Sequence, residues 1–402
     1  MDEIPSQAVE TPHQTETAPP VRSLRELLDR VSGRSFSPKP GEPESGLAER
    51  LAFPFLALVG QTEMKLALLL ALINPAVGGV LLVGPRGTGK TTAVRSLVDL
   101  LPETPRSLCY YGCLPEDVEN GGLEAVCPDC ARKYAEGEPL AKPDRVRLVE
   151  LPLNARLEDV VGGLDERLAL QDRLRLRRGL LAQADRNILH VDEINLLGNE
   201  IVDAILDAAA QGSYTVRRGP VSATYRARFV LIGSMNPEEG SLRPQILDRL
   251  GLRCVVRGLQ GEQERLEAYR RAQAYLSSPR QVINGYAQET GALQAEIQAA
   301  RDLLPQVILP DRVADQGIAL VKQLGIDSLR AEITLFEAAR AHAAADTHRE
   351  VSPEDLRQVA PMALRSRRSQ FMHEFFSAQQ VEEEEISSLM DKVIPPNPAE
   401  PE

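Results

Sequence analysis

Tryptophan is missing from the chain, and aromatic residues make up only 4% of it. The first absence excludes nothing by itself. The second leaves few rings to interleave with basic side chains, as a stacking platform for single-stranded nucleic acid requires. Positive charge is also short, since 46 Lys and Arg face 58 Asp and Glu for a formal net charge of −12. A protein that coats nucleic acid through bulk charge is thereby excluded, although a local basic patch is not. Long hydrophobic runs are lacking too: the stretch from Leu66 to Ile73 stops at Asn74-Pro75, too short to span a bilayer. The opening Met1-Asp2-Glu3 has no basic segment followed by an apolar one, which gives the expectation of no secretory signal and a cytoplasmic protein. Cysteine is sparse, with five residues, and in a reducing compartment thiols that lie close together more often bind metal than form disulfides. No internal repeat of useful period is visible.

What the chain does have is 402 residues, 43% of them hydrophobic, enough for two or three domains with a real core. Its most informative stretch is Gly84-Pro85-Arg86-Gly87-Thr88-Gly89-Lys90-Thr91-Thr92, which fits G-x-x-x-x-G-K-[ST]. The four residues before it, Val80-Leu-Leu-Val83, read as a buried parallel strand. Glycines let the backbone turn tightly so that successive N–H groups point at the phosphates of a nucleotide, and a helix starting near Lys90 adds its positive end. Lys90 would neutralise phosphate charge, and Thr91 would place its hydroxyl on Mg²⁺. A glycine-rich turn with no nucleotide is the plainer alternative.

Residues 1–48 are rich in Pro, Ser, Thr and Glu and read as a tail, apart from a short helix at Ser23 to Val31. Residues 49–258 alternate strands with helices, giving an α/β core with a doubly wound parallel sheet and helices on both faces. Its elements are a helix from Thr62 to Ile73, strand candidates at Arg145 to Leu151, Ile188 to Val191 and Phe229 to Ile232, a helix from Glu200 to Ala210, and a hairpin around Arg218-Gly219-Pro220. The pattern from Leu157 to Ala184 is helical and Arg-rich, interrupted at Gly162-Gly163. A cysteine-bearing insert occupies 106–132. Residues 259–304 read as linking helices, 305–372 as a compact helical domain, and 373–402 as an acidic tail. Ser352 is placed to cap a helix with Pro353 in its first turn, and Phe371, Phe375 and Phe376 fall on a terminal helix or docking patch.

Roughly a hundred residues beyond the phosphate loop, Asp192-Glu193 ends a hydrophobic strand. Asp192 would join Thr91 on the metal, and Glu193 would polarise the attacking water. An acidic pair at a strand end also serves as a helix cap. Asn236 closes the next strand, where its amide would hold the water or the γ-phosphate, although Asn-Pro favours a turn regardless. Arg249 would complete a neighbouring subunit's site, and Arg330 would report nucleotide state to the helical domain; either could be an ordinary surface charge. Arg217, Arg218, Arg226 and Arg228 in one hairpin leave a nucleic-acid translocase open, against the overall charge.

The order Gly84 to Thr91, Val161-Gly-Gly-Leu-Asp165, Asp192-Glu-Ile-Asn-Leu-Leu197, Gly233-Ser-Met-Asn-Pro-Glu-Glu-Gly240, Leu242 to Arg249 and Leu329-Arg330 closely resembles the I subunit of magnesium chelatase, an AAA+ ATPase, from about Phe53 to Arg368. The resemblance implies an AAA+ P-loop core followed by a helical lid domain. It implies an ATP- and Mg²⁺-dependent ring, by expectation a hexamer, working with D-type and porphyrin-binding H-type subunits to drive Mg²⁺ insertion into protoporphyrin IX in (bacterio)chlorophyll biosynthesis. By the same resemblance Lys90 and Thr91 are Walker A, Asp192 and Glu193 Walker B, Asn236 sensor 1, Arg249 the arginine finger and Arg330 sensor 2. Asp165 to Arg178 and Tyr214 to Arg228 would be hairpins projecting from the ring. Met235 and Leu250 depart from the family, which usually has a glycine and an aromatic there. The alternative is a MoxR-like or cobaltochelatase-type remodelling ATPase acting on a von Willebrand A-domain partner.

Cys109, Cys113, Cys127 and Cys130 form two close pairs able to close a tetrahedral structural zinc site. Unligated thiols or a redox-sensitive pair are the alternatives. Cys254 follows a strand candidate and reads as a core residue.

Overall fold

The computed structural model describes residues 51–164 and 176–368. The tail 1–48 with the short helix expected there, the middle of the Arg-rich segment, the three C-terminal phenylalanines and the acidic end lie outside the described residues.

Along the chain the described strands are β1 (Val80–Val83), β2 (Thr104–Ser107), β3 (Ala141–Asp144), β4 (Leu148–Leu151), β5 (Gly162–Leu164), β6 (Leu176–Arg178), β7 (Ile188–Val191), β8 (Ser213–Arg218), β9 (Val221–Arg226), β10 (Val230–Met235) and β11 (Leu252–Val255). Five of them form one all-parallel sheet in the order β11-β1-β10-β7-β4. Successive side chains on a strand point to opposite faces, so Val80 and Leu82 join one apolar cluster and Leu81 the other. Both faces are thus covered, as parallel sheets require. The Asn199–Gln211 helix covers one face. On the other, the Thr62–Ile73 helix is apolar nearly all round because it lies against the sheet on one side and the Leu329–Ala345 helix on the other. Met235 and Leu250, the two departures from the family pattern, are both buried in the Asn199–Gln211 cluster, so their larger or smaller volumes are absorbed by packing.

The C-terminal helices Asp311–Gln323, Leu329–Ala345 and Pro353–Leu364 pack through Val313, Val321, Leu335, Val359 and Met362. Ser352 caps the last as expected. Its Oγ accepts from the Asp355 N–H at 3.2 Å, and the Asp355 carboxylate accepts from the Ser352 N–H at 2.7 Å. Ser352→Ala should therefore cost about 1 kcal/mol. Thermal unfolding should register it as a drop of about 2 °C; an unchanged Tm would mean that the cap contributes nothing.

Four sequence expectations need correction. The stretch from Leu157 to Ala184 is not helical throughout: short helices Leu157–Val161 and Leu180–Gln183 flank an antiparallel pair, β5 with β6. Gly162 enforces the change, with φ of 102° and a position where a Cβ would lie 2.3 Å from the Arg177 carbonyl oxygen. The strand expected from Arg145 begins only at Leu148, because the Arg147 N–H is taken by the Asn187 side chain at 2.8 Å. Cys254 lies within β11 rather than after it, and is fully buried there. The cysteine insert is also longer than 106–132, since β2 pairs with β3 and closes it at Thr104 and Asp144. The expected hairpin around Gly219-Pro220 is present as β8 and β9.

Candidate functional site

The site is built at the carboxyl ends of three neighbouring strands. β1 runs into the phosphate loop, where Gly84 passes so close to the next segment that a Cβ would sit 2.1 Å from the Val256 carbonyl oxygen. Gly89 has φ of 86° and starts the Lys90–Arg95 helix, a conformation that a side chain would strain. Lys90 follows at the helix start and is buried; its ammonium donates to the carbonyls of Gly84 at 2.7 Å and Pro85 at 2.8 Å. Burial holds the Lys90 pKa below its ordinary value, and the nearby carboxylates of Asp192, Glu193 and Glu239 offset only part of that shift.

Register explains the acidic half. Val191 of β7 pairs with Gly233 of β10, so the residues one step on, Asp192 and Ser234, come level. The Ser234 hydroxyl donates to Asp192 Oδ1, and the Thr91 hydroxyl donates to Asp192 Oδ2 at 3.3 Å. Glu193 turns the chain with φ of 49°, a left-handed conformation rare outside glycine, and its N–H donates to Ser234 Oγ at 3.3 Å. Strain of this kind persists where the surroundings enforce it and gathers at functional sites. The Glu193 side chain caps no helix; it is bonded by Arg86 at 3.2 Å, and Arg86 also reaches Glu239 at 2.6 Å. Asn236 is buried, and its Oδ1 accepts from the Glu238 N–H at 3.3 Å, so it makes the local turn that Asn-Pro favours while lining the same cavity.

These groups enclose a cavity of about 230 Å³ that runs from Arg86 to Thr92 on one wall and includes Asp192, Glu193, Ser234 and Asn236 on the other. A second cavity of about 430 Å³ shares Gly87, Thr88, Gly89 and Thr92 with it and is lined by apolar groups including Phe53, Val59, Met64 and Leu259. The pair of cavities suits a nucleotide, with a polar, N–H-rich pocket for phosphates beside a greasy slot for a base. The Thr91 hydroxyl and the Asp192 carboxylate together supply the hard oxygen donors Mg²⁺ takes, so the residues fit that ion.

Two expected residues stand apart from this cavity. Arg249 ends the Pro244–Arg249 helix and pairs with Asp207 at 2.9 Å and Asp203 at 3.6 Å. Arg330 pairs with Asp248 at 3.2 Å. Burial raises the Asp248 pKa, but Ser328, Arg330 and Arg367 outweigh that and hold the carboxyl below its usual value. The cysteines Cys109, Cys113, Cys127 and Cys130 also converge, but in the insert, away from the nucleotide cavity. The hairpin arginines raised for nucleic acid are largely committed: Arg228 bonds Asp185 and Asp117, and Arg226 bonds the Ala125 carbonyl at 2.9 Å. Sequence reasoning missed Ser234, the Arg86 bridge to Glu193 and Glu239, and the apolar cavity beside the phosphate loop. No sequence pattern marks the first, because Ser234 meets Asp192 only through the pairing of Gly233 with Val191.

Fold and site together define a P-loop ATPase of the AAA+ class, with a helical lid packed against its parallel sheet. A family model described as AAA lid domain matches residues 316–389. One described as magnesium chelatase, subunit ChlI, matches residues 170–253. The chain is 45% identical over 318 residues to the magnesium-chelatase 38 kDa subunit of Acidiphilium rubrum, covering 78% of this chain and 90% of that one. It is 40% identical over 320 residues to magnesium-chelatase subunit ChlI of Synechocystis, covering 79% and 88%. A solved putative ATPase from Cytophaga hutchinsonii shares the fold at a TM-score of 0.51 and 18% identity, over 82% of this chain and 90% of that one. The chain belongs to the magnesium-chelatase I-subunit family, the ATPase subunits of that complex. Among the described residues no helix is long and apolar enough to cross a membrane.

Proposed function

We propose that the chain is the ATP-hydrolysing motor of a magnesium chelatase, a ring of copies that acts with D-type and porphyrin-binding H-type partners to drive Mg²⁺ insertion into protoporphyrin IX. The observation that carries the motor reading is the joining of Thr91, Asp192, Glu193 and Ser234 at one cavity while Arg249 stays out of it. Family membership supports the porphyrin and the partners.

In this reading the loop N–H groups and Lys90 hold the phosphates. Thr91 and Asp192 would hold a magnesium ion, which would neutralise phosphate charge. Ser234 fixes the Asp192 carboxylate and, through the Glu193 N–H, the position of the next residue. Glu193 takes the proton of the attacking water, with Asn236 orienting that water. Arg249 is supplied to the cavity of an adjacent copy, where it stabilises transition-state charge. Arg330 links the lid to the Asp248 end of the Arg249 helix, so lid position and finger position move together.

Reconstitution tests the substrate. With D-type and H-type partners, ATP and Mg²⁺, the chain should produce the metallated porphyrin, read by its fluorescence. Robust ATPase activity with no porphyrin product under those conditions would instead favour a remodelling ATPase of the MoxR-like or cobaltochelatase type.

A further inference from the structure

The insert between β2 and β3 is a separate small body carrying none of the ATPase groups. Four of the seven residues that fill its interior are cysteines: the buried residues are Cys113, Val118, Cys130 and Leu140, and Cys109, Val126 and Cys127 pack half-buried against them. Segments this short rarely hold themselves together by apolar burial, and usually need disulfides or a metal. Disulfides are not what this one uses. All four thiols are free, and Cys109 Sγ lies 3.5 Å from Cys127 Sγ, far beyond the ~2.05 Å of an S–S bond.

The separations fit a different bond. The four sulfur atoms all lie within 4.8 Å of one another. A tetrahedral centre with Zn–S bonds of ~2.3 Å places its sulfurs about 3.8 Å apart. Only a slight contraction of the cluster is needed. Each half is presented by rigid local structure. The Cys127-Pro128-Asp129-Cys130 half straddles the start of the Pro128–Ala135 helix, with Cys130 in its first turn. The Cys109–Cys113 half is a tight loop held by Ser107, whose hydroxyl donates to the Cys113 carbonyl at 2.6 Å and accepts from the Cys109 N–H at 3.0 Å.

Backbone donors already point at the sulfurs. The Tyr111 N–H reaches Cys109 Sγ at 3.2 Å, and the Cys127 N–H reaches Cys113 Sγ at 3.4 Å. Such outer bonds orient metal-ligating groups and spread the negative charge of thiolates. They have no comparable value to four neutral thiols.

We propose that Cys109, Cys113, Cys127 and Cys130 bind one structural zinc ion, and that this ion holds the insert in the shape that docks on the β8–β9 hairpin. The docking side is specific. Arg228 donates to the Gly112 carbonyl at 3.0 Å, one residue from Cys113, and to Asp117 at 3.0 Å. The Arg226 N–H donates to the Tyr111 carbonyl at 3.1 Å. The rings of Tyr110 and Tyr111 lie 6.1 Å and 5.7 Å from that of Tyr225. The loop between the first two cysteines, together with Asp117 and Ala125 beyond it, therefore meets the hairpin, and releasing the metal frees that face. Soft thiolates in a full set of four, with no open position, select zinc in a structural role.

The test uses the full chain purified without added metal. Elemental analysis should find about one zinc per chain, and titration with an organomercurial should release it as the four thiols react. The Cys109→Ser/Cys127→Ser double variant should lose the zinc, while Cys254→Ser keeps it. Limited trypsinolysis of the wild-type chain should stay outside residues 104–144 until a strong chelator is added, then cut within them, with ATP binding retained. Less than half an equivalent of zinc in the wild-type protein, iron in its place, or a Cys109–Cys127 disulfide found by non-reducing alkylation and mass analysis would each overturn the proposal.

Discussion

Glu193→Gln should bind ATP as the unaltered chain does and hydrolyse it about 100- to 10,000-fold more slowly, the usual contribution of a general base. The substitution keeps the shape and removes the charge. The contact from the Glu193 N–H to Ser234 Oγ is made by the backbone and survives, as does the Thr91–Asp192 bond, so the metal and phosphate groups stay in place. The competing view of Glu193, an acidic residue that merely ends a strand, predicts ordinary turnover. Its side chain makes no capping bond and is held toward the phosphate loop by Arg86 instead. Parallel measurement of nucleotide binding and phosphate release separates the two views. Normal phosphate release by the variant would remove Glu193 from the chemistry.

Arg249→Ala should lower turnover in the assembled protein by about 1,000-fold or more, the range for an arginine supplied across an interface. Loss of its own-chain contacts cannot account for a fall of that size. The ion pairs to Asp203 and Asp207 involve partly exposed side chains, and pairs of that kind contribute about 1 kcal/mol at most. Stability and ATP binding should therefore be nearly unchanged while hydrolysis collapses. A variant that hydrolysed ATP normally would leave Arg249 as a surface charge held by two aspartates.

The positions of the fold's central elements were legible because their signals are local. The phosphate loop, the run Ile188 to Val191 and the Ser352 cap each sit within a few residues of sequence, and each is where it was expected. What was not legible depends on register. Nothing near Ser234 in sequence says that it will meet Asp192; that follows only from Gly233 pairing with Val191. The apolar cavity beside the phosphate loop is assembled from Phe53, Met64 and Leu259, too far apart in sequence for any pattern to join. The break at Gly162-Gly163 was visible, but a glycine pair reads equally as a helix interruption or a strand entry until the Arg177 carbonyl is known to lie against it. The four cysteines were visible as two pairs, whereas their attachment to Arg226 and Arg228 was not, and it is this attachment that removes two of the hairpin's arginines from any nucleic-acid surface.

Hydrolysis by this chain should need two copies, one giving the cradle and the next the arginine. ATP turnover in mixed assemblies of Lys90→Ala and Arg249→Ala subunits measures this directly. Each variant alone should be inactive, while random equal mixing should restore activity at about a quarter of the interfaces, where an intact cradle meets an intact arginine. Mixtures as inert as either variant by itself, under conditions where both are shown to co-assemble, would contradict it.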